Sequence, residues 1–179
     1  MTVTFVLRVG VAAASLFPAL VELYGVVYAE PPYGEGPEEV SRFADGLPGE
    51  AQRPGFRLVA AQDGALLVGA AYGWTMPAGV WWSRADADPP AEVRAASKFA
   101  VMEWIVDPRW RGRGVGAGLM RRLLAGRAEG YATLASNPRS DARQVYARNG
   151  WRRVGGSRLE WGPAMDLLVL PLAHGRPAR

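Results

Sequence analysis

One stretch of this sequence carries chemistry in its spacing. Val106-Asp107-Pro108-Arg109-Trp110-Arg111-Gly112-Arg113-Gly114-Val115-Gly116-Ala117-Gly118-Leu119 reads as a strand end, a Gly-rich turn and a helix start. Glycine lets a backbone approach a ligand closely and adopt positive φ. The first N–H groups of a helix lack internal partners and sit at the positive end of its dipole. Such a turn binds phosphate, and Arg111 and Arg113 add positive charge beside it. A turn that merely packs is the alternative on spacing alone. Just upstream, Glu103 is the one acid in the apolar run Phe99 to Val106. A carboxylate among apolar neighbours needs a partner or a purpose.

Other chemistries are excluded by what the chain lacks. No Gly-Lys-Ser/Thr follows the turn, so it is not a Walker loop. A dinucleotide fingerprint can be forced onto Gly112, Gly114 and Ala117, but it falls past mid-chain with no acid-ended strand after it. There is no cysteine, and His174 is the single histidine, which argues against thiolate zinc, a cysteine nucleophile, a His-based triad and a multi-His metal site. No metal is expected. At 179 residues, 49% hydrophobic and 21% charged, the composition is that of one globular domain. Net charge is +4, but the basic residues are Arg except for Lys98 and are spread from Arg8 to Arg179. That dispersal reads as compositional bias rather than a nucleic-acid stripe.

The elements must place these groups. Thr2 to Arg8 reads as a strand and Ser15 to Tyr28 as a helix, with Leu16, Leu20, Leu23 and Tyr24 on one face and Pro18 in its first turn. The apolar run Val9 to Val21 is too short to span a membrane and lacks the flanks of a signal peptide, so no membrane contact and a cytoplasmic location are expected. Glu38 to Leu47 reads as a second helix, and Phe56 to Ala61, Asp63-Gly64 and Leu66 to Gly73 as a hairpin. Pro77 to Ser97 reads as a long surface loop or lid. Phe99 to Val106 is a strand, Gly114 to Gly126 a helix, and Tyr131 to Ala135 a strand. Ser140 is placed to cap a helix ending at Asn149, and Trp151 to Gly155 and Met165 to Leu172 complete the strands. The order β-α-α-β-β-β-α-β-α-β-β implies a mixed α/β fold over 1–172, with a flexible tail at 173–179.

Arg111-x-x-Gly114-x-Gly116 resembles the Gln/Arg-x-x-Gly-x-Gly/Ala signature of the GNAT-type N-acetyltransferases. Val106-Asp107-Pro108 looks like the end of that family's fourth strand. The segment from Ala142 to Trp151 resembles its Ala-x-x-x-Tyr-x-x-x-Gly-aromatic segment, with Tyr146 and Gly150 in place. The resemblance is tight from about Phe99 to Gly155 and elsewhere rests on element order. It implies a single GNAT-like domain with a mixed, mostly antiparallel sheet of about seven strands, flanked by about four helices and splayed between strands four and five.

The resemblance also implies roles. The pyrophosphate of acetyl-CoA would lie on the amides of Arg111, Gly112, Arg113, Gly114, Val115, Gly116 and Ala117, and the pantetheine arm along Trp104, Ile105 and Val106. A backbone N–H near Val106 would face the thioester oxygen. Asn137 or Arg139 would also contact the coenzyme. Glu103 would take the proton of an ammonium acceptor, and Tyr146, whose phenol keeps its proton, would give one to the leaving thiolate. Tyr33, Trp74, Trp81, Trp82 and Glu103 are the candidate acceptor contacts, with Glu30, Glu35, Glu38 and Glu39 near by in sequence. The expected function is acetyl transfer by direct attack in a ternary complex, onto a primary amine of a small molecule such as an antibiotic or another metabolite. A CoA-binding module without catalysis, and an acetyltransferase acting on a protein N-terminus or lysine, are the alternatives. A homodimer paired through the C-terminal strands is expected as a partner state.

Overall fold

The computed structural model describes residues 2–140, 142–158 and 163–172; the expected tail at 173–179 lies outside them. Seven strands form one sheet in the order β1-β2-β3-β4-β5-β7-β6. They are β1 (Thr4–Val9), β2 (Arg57–Asp63), β3 (Leu66–Met76), β4 (Lys98–Val106), β5 (Tyr131–Ser136), β6 (Arg152–Arg158) and β7 (Ala164–Pro171). The helices are α1 (Phe17–Tyr28), α2 (Pro37–Ala51), α3 (Ala91–Ala95), α4 (Val115–Leu124) and α5 (Ala142–Arg148). The expected order holds, with α3 added inside the segment read as a loop. The described residues fall into two compact units, one within Met1–Trp74 and Met102–Ala125, the other within Thr75–Val101 and Gly126–Arg179.

In the first unit β1 pairs antiparallel with β2, and β2 with β3. Leu20, Leu23, Tyr24 and Val27 recur at helical spacing on α1 and are buried with Leu47 and Ala51 of α2, Leu58 and Ala60 of β2, Tyr72 of β3 and Ile105 of β4. Each large apolar side chain so buried contributes about 1.5–3 kcal/mol before entropy is counted. The helical run is longer than the sequence suggested. A 3₁₀ segment, Gly10–Leu16, leads straight into α1, giving 19 residues from Gly10 to Tyr28, of which the most apolar 18 have a mean hydropathy of 1.7. By length and composition that is enough to cross a membrane, although α1 turns one face into the core. Helix α2 also runs past the expected stop at Leu47, carrying Pro48 within its last turn. Its start is fixed by Glu39, whose carboxylate accepts the Gly36 N–H at 2.9 Å. Arg57 caps the far end of α4 by donating to the Leu123 and Ala125 carbonyls.

In the second unit β5 runs parallel to β4 over three residue pairs, Lys98–Ala100 against Tyr131–Thr133. Over its whole length β5 pairs antiparallel with β7, which pairs with β6. The segment from Pro77 to Ser97 is held down at several points, contrary to its reading as a lid. Asp86 donates its N–H to the Gly156 carbonyl and accepts the Gly156 N–H on Oδ1, both at 2.9 Å, and Ala85 bridges Ser157. Trp82 Nε1 donates to Thr133 Oγ1 at 3.0 Å. Lys98 is fully buried, and its ammonium donates to the carbonyls of Ala96 (2.8 Å), Pro77 (3.2 Å) and Arg94 (3.4 Å). Burial, then the charge of Arg94, pulls its pKa down. Nearby in the same unit, buried Glu129 accepts from Arg127 Nε at 2.9 Å, from Arg127 Nη2, and from Thr75 Oγ1 at 2.6 Å.

Candidate active site

The glycine turn is built as its sequence requires. Asp107 accepts the Arg109 N–H and grips the Arg109 guanidinium through both oxygens, which starts a 3₁₀ turn over Pro108–Trp110. Gly112 and Gly114 then adopt φ of 71° and 77°, the left-handed region that a side chain disfavours. Gly114 is the N-cap of α4, and the first bond of the helix runs from the Gly118 N–H to the Gly114 carbonyl at 2.9 Å. No side chain caps this terminus, so the amides of Val115, Gly116 and Ala117 are the orphan donors an anion would take. Helix α4 is seated by Gly118, where a Cβ would come within 2.5 Å of the Phe5 ring.

Strand β4 presents different chemistry on its two faces, as strand alternation dictates. Trp104 turns toward α4 and donates Nε1 to the Gly116 carbonyl at 3.0 Å, underpinning the turn. Ile105 is buried in the core, so only its backbone could meet a ligand. Arg111 reaches back, donating Nε to the Val106 carbonyl at 3.2 Å and pairing with Glu30 at 2.8 Å. Arg113 lies over the Trp110 ring at 5.3 Å. Both expected phosphate-binding arginines are thus engaged by protein groups.

Glu103 turns the other way, toward α1. Its Oε2 accepts the Tyr28 hydroxyl at 2.6 Å. Oε1 accepts no hydrogen bond, and Glu103 joins no ion pair, among the described residues. Burial pushes its pKa up, the Tyr28 bond opposes this, and the charges of Glu35 and Glu50 push further, leaving it at about 8. Around it stands a run of rings. Tyr28 lies 4.4 Å from Tyr24 and meets Tyr33 edge-on at 4.7 Å, and Tyr24 stacks on Phe43 at 3.9 Å. One helical turn from the Tyr28–Glu103 pair, the Tyr24 hydroxyl donates to Glu35 at 2.6 Å. Glu35 also lines a groove of about 450 Å³ with Val21 and Gly25 of α1 and Pro37, Val40 and Ala44 of α2. Trp74 donates Nε1 to Glu50 and is covered by the Arg53 guanidinium at 4.3 Å.

The structure therefore gathers Glu103, Tyr33 and the turn from Trp104 to Ala117 within the first unit. Trp74 belongs to that unit too, held by Glu50 and Arg53. Sequence reasoning missed Tyr28, Tyr24 and Glu50 as partners. Tyr24 read as a core position of the apolar helix stripe and Tyr28 only as the end of that helix, and neither position signals a distant carboxylate partner.

The remaining candidates belong to the second unit. Tyr146 is buried and packs edge-on against Trp151 at 6.0 Å. Asn137 is buried and opens the turn into α5, its Oδ1 accepting the Arg139 N–H at 2.9 Å, while Arg139 is exposed. Ser140, the expected cap, makes no side-chain hydrogen bond among the described residues. Trp82 is held by Thr133, and Trp81 is partly buried. No group of three or more metal-ligating side chains occurs among the described residues.

Residues 17–151 match the acetyltransferase (GNAT) family. Over 100 residues the chain is 36% identical to the GCN5-like protein acetyltransferase Rv2170 of Mycobacterium tuberculosis, an alignment that spans 51% of this chain and 48% of that relative, about half its length. Among solved structures, a Corynebacterium glutamicum protein described as histone acetyltransferase HPA2 and related acetyltransferase superposes with a TM-score of 0.68 at 19% identity, over 98% of this chain and 99% of that one. The PaiA N-acetyltransferase of Thermoplasma acidophilum, solved in complex with coenzyme A, superposes at 0.65 with 10% identity, over 96% and 99%. At these identities the structural likeness is one of fold.

Proposed function

The chain belongs to the acetyltransferase (GNAT) family, and we propose that it transfers the acetyl group of acetyl-CoA to a primary amine of a small molecule. The observation that carries this reading is Glu103: a carboxyl with a raised pKa, no counter-cation among the described residues and one free oxygen, on the strand that runs into an uncapped glycine turn.

The turn fits the coenzyme's pyrophosphate. Its two left-handed glycines and the orphan amides of Val115, Gly116 and Ala117 supply donors without a competing side chain. Bound acetyl-CoA supplies the acetyl carbon, to which the amine nitrogen bonds as the C–S bond breaks. Before that step the acceptor, an ammonium ion in neutral water, must lose a proton. Oε1 of Glu103 takes it. Because burial has raised this carboxyl to about 8, it is ready to hold a proton and gains base character as pH rises. Tyr rings beside it suit a cation near a carboxylate. Tyr146 is assigned as the proton source for the leaving thiolate on its motif alone. Neither cysteine nor histidine is needed when the amine attacks directly.

A second reading, transfer to a protein amine, is favoured by the name of the Mycobacterium relative. One assay separates the readings. The chain is mixed with acetyl-CoA and either a panel of small primary amines or lysine-bearing peptides, and free thiol is followed. Thiol release with small amines supports the first reading, and release with peptides alone supports the second. Coenzyme binding without release in either arm would leave a binding module.

A further inference from the structure

The hydroxyl of Tyr28 meets one oxygen of Glu103 and not the other. It donates to Oε2 at 2.6 Å, while Oε1 has no hydrogen-bond partner among the described residues. The donor is rigidly placed. Tyr28 closes α1, its ring is gripped by Tyr24 at 4.4 Å and by Tyr33 at 4.7 Å, and its own pKa is raised by burial and by Glu103, so it keeps its proton and donates to the Glu103 carboxylate. The other titratable groups around the carboxyl are Tyr24 of α1, Glu35 beyond it, Glu50 of α2 and Tyr72 of β3. None of them is a cation, so the Tyr28 hydroxyl is the protein group that favours the ionised form.

Resting on the reading of Glu103 as base, we propose that Tyr28 is a positioning residue: by holding Oε2 it fixes the carboxyl plane and reserves Oε1 as the atom that takes the acceptor's proton. The proton moves from the ammonium nitrogen to Oε1, and Tyr28 keeps its own throughout. A hydroxyl that merely fills space would do neither of these things.

The test compares the pH dependence of kcat/KM for the wild-type chain, Tyr28→Phe and Glu103→Gln, using acetyl-CoA and the best amine of the panel. Phe keeps the ring and loses only the hydroxyl. A hydrogen bond to a charged group has the size of about one pH unit. The acidic limb should therefore move up by about that much in Tyr28→Phe, costing about tenfold at pH 7 and little at the alkaline plateau. The Glu103 carboxyl carbon, followed by NMR in ¹³C-labelled protein, should titrate higher by the same shift whether or not turnover is measurable. An unmoved titration, or a loss equal at every pH, overturns the role of Tyr28. If Glu103→Gln keeps the wild-type limb, the base assignment itself falls and the role of Tyr28 falls with it. That outcome is told apart from failure of Tyr28 alone, in which Glu103→Gln abolishes the limb but Tyr28→Phe leaves it in place.

Discussion

Two glutamates whose pKa burial pushes upward, one in each unit, are provided for in opposite ways. Glu129 is met by a guanidinium and a threonine hydroxyl, and Arg127 is itself held over the Phe99 ring at 4.0 Å. Burial pushes Glu129 up, but the bonds from Arg127, Thr75 and its own backbone, with the charge of Arg127, outweigh this and bring it to about 2. Glu103 is met by one phenol and faces two more carboxylates, and it rises to about 8. The residue type is the same and burial pushes both upward, but only Glu129 has a cation beside it to offset that push. A buried carboxylate with its counter-ion is a fixed strut. One without it is a group whose proton can come and go near neutral pH, which is what a base requires.

The sharpest way to break this contrast is to remove each charge in turn. Glu103→Gln should lower kcat/KM by about 10²–10⁴-fold while leaving the melting temperature unchanged or higher, since no cation is orphaned. Wild-type turnover, or marked destabilisation, would erase the distinction. Glu129→Ala should do the reverse. It strands Arg127 in the interior at a cost of about 3–5 kcal/mol in urea denaturation, and replacing Arg127 and Glu129 together by apolar residues should recover much of that loss.

Stability against pH sharpens the same contrast, because the two groups give opposite slopes. Glu129 falls from an ordinary 4.5 to about 2 on folding. Its contribution is therefore complete above pH 4.5 and drains away as pH drops toward 2. Glu103 rises from 4.5 to about 8, so the folded chain holds a proton that the unfolded chain has lost. Its contribution declines as pH climbs from 4.5 to 8. Glu103→Gln should abolish the second slope, and Glu129→Gln the first, in melting curves collected across pH. A third carboxylate calibrates the scale. Glu30 is exposed and paired with exposed Arg111, a type of contact worth about 0.2–1 kcal/mol. Glu30→Gln, by freeing Arg111, should tighten CoA binding by no more than about fivefold, and by nothing measurable at high salt.

Much of this arrangement is written locally and was legible. The glycine turn, the strand before it, the hairpin and the element order each rest on a few adjacent residues whose types admit one backbone. Gly112 and Gly114 take positive φ where the motif requires it. What was not legible depends on partners far along the chain. Tyr28 sits at the end of an apolar helix stripe, and nothing near it announces that its hydroxyl meets a residue 75 positions away. Likewise the Pro- and Asp-rich segment after Met76 has the composition of a free loop. It is fixed because Asp86 finds the backbone of Gly156 and Trp82 finds Thr133, two long-range bonds that composition does not encode. Ser140 illustrates the reverse: a residue of the right type near a helix start whose hydroxyl is not used.

The burial of Lys98 has a consequence for the proposed use of acetyl-CoA, a reactive thioester. Thioesters acylate accessible amines without help, and surface lysines are the usual casualties. This chain has one lysine, sealed from solvent and wrapped in three carbonyls, while its surface cations are guanidinium groups that resist acylation. Incubated with a large excess of acetyl-CoA, the folded protein should gain no acetyl-lysine.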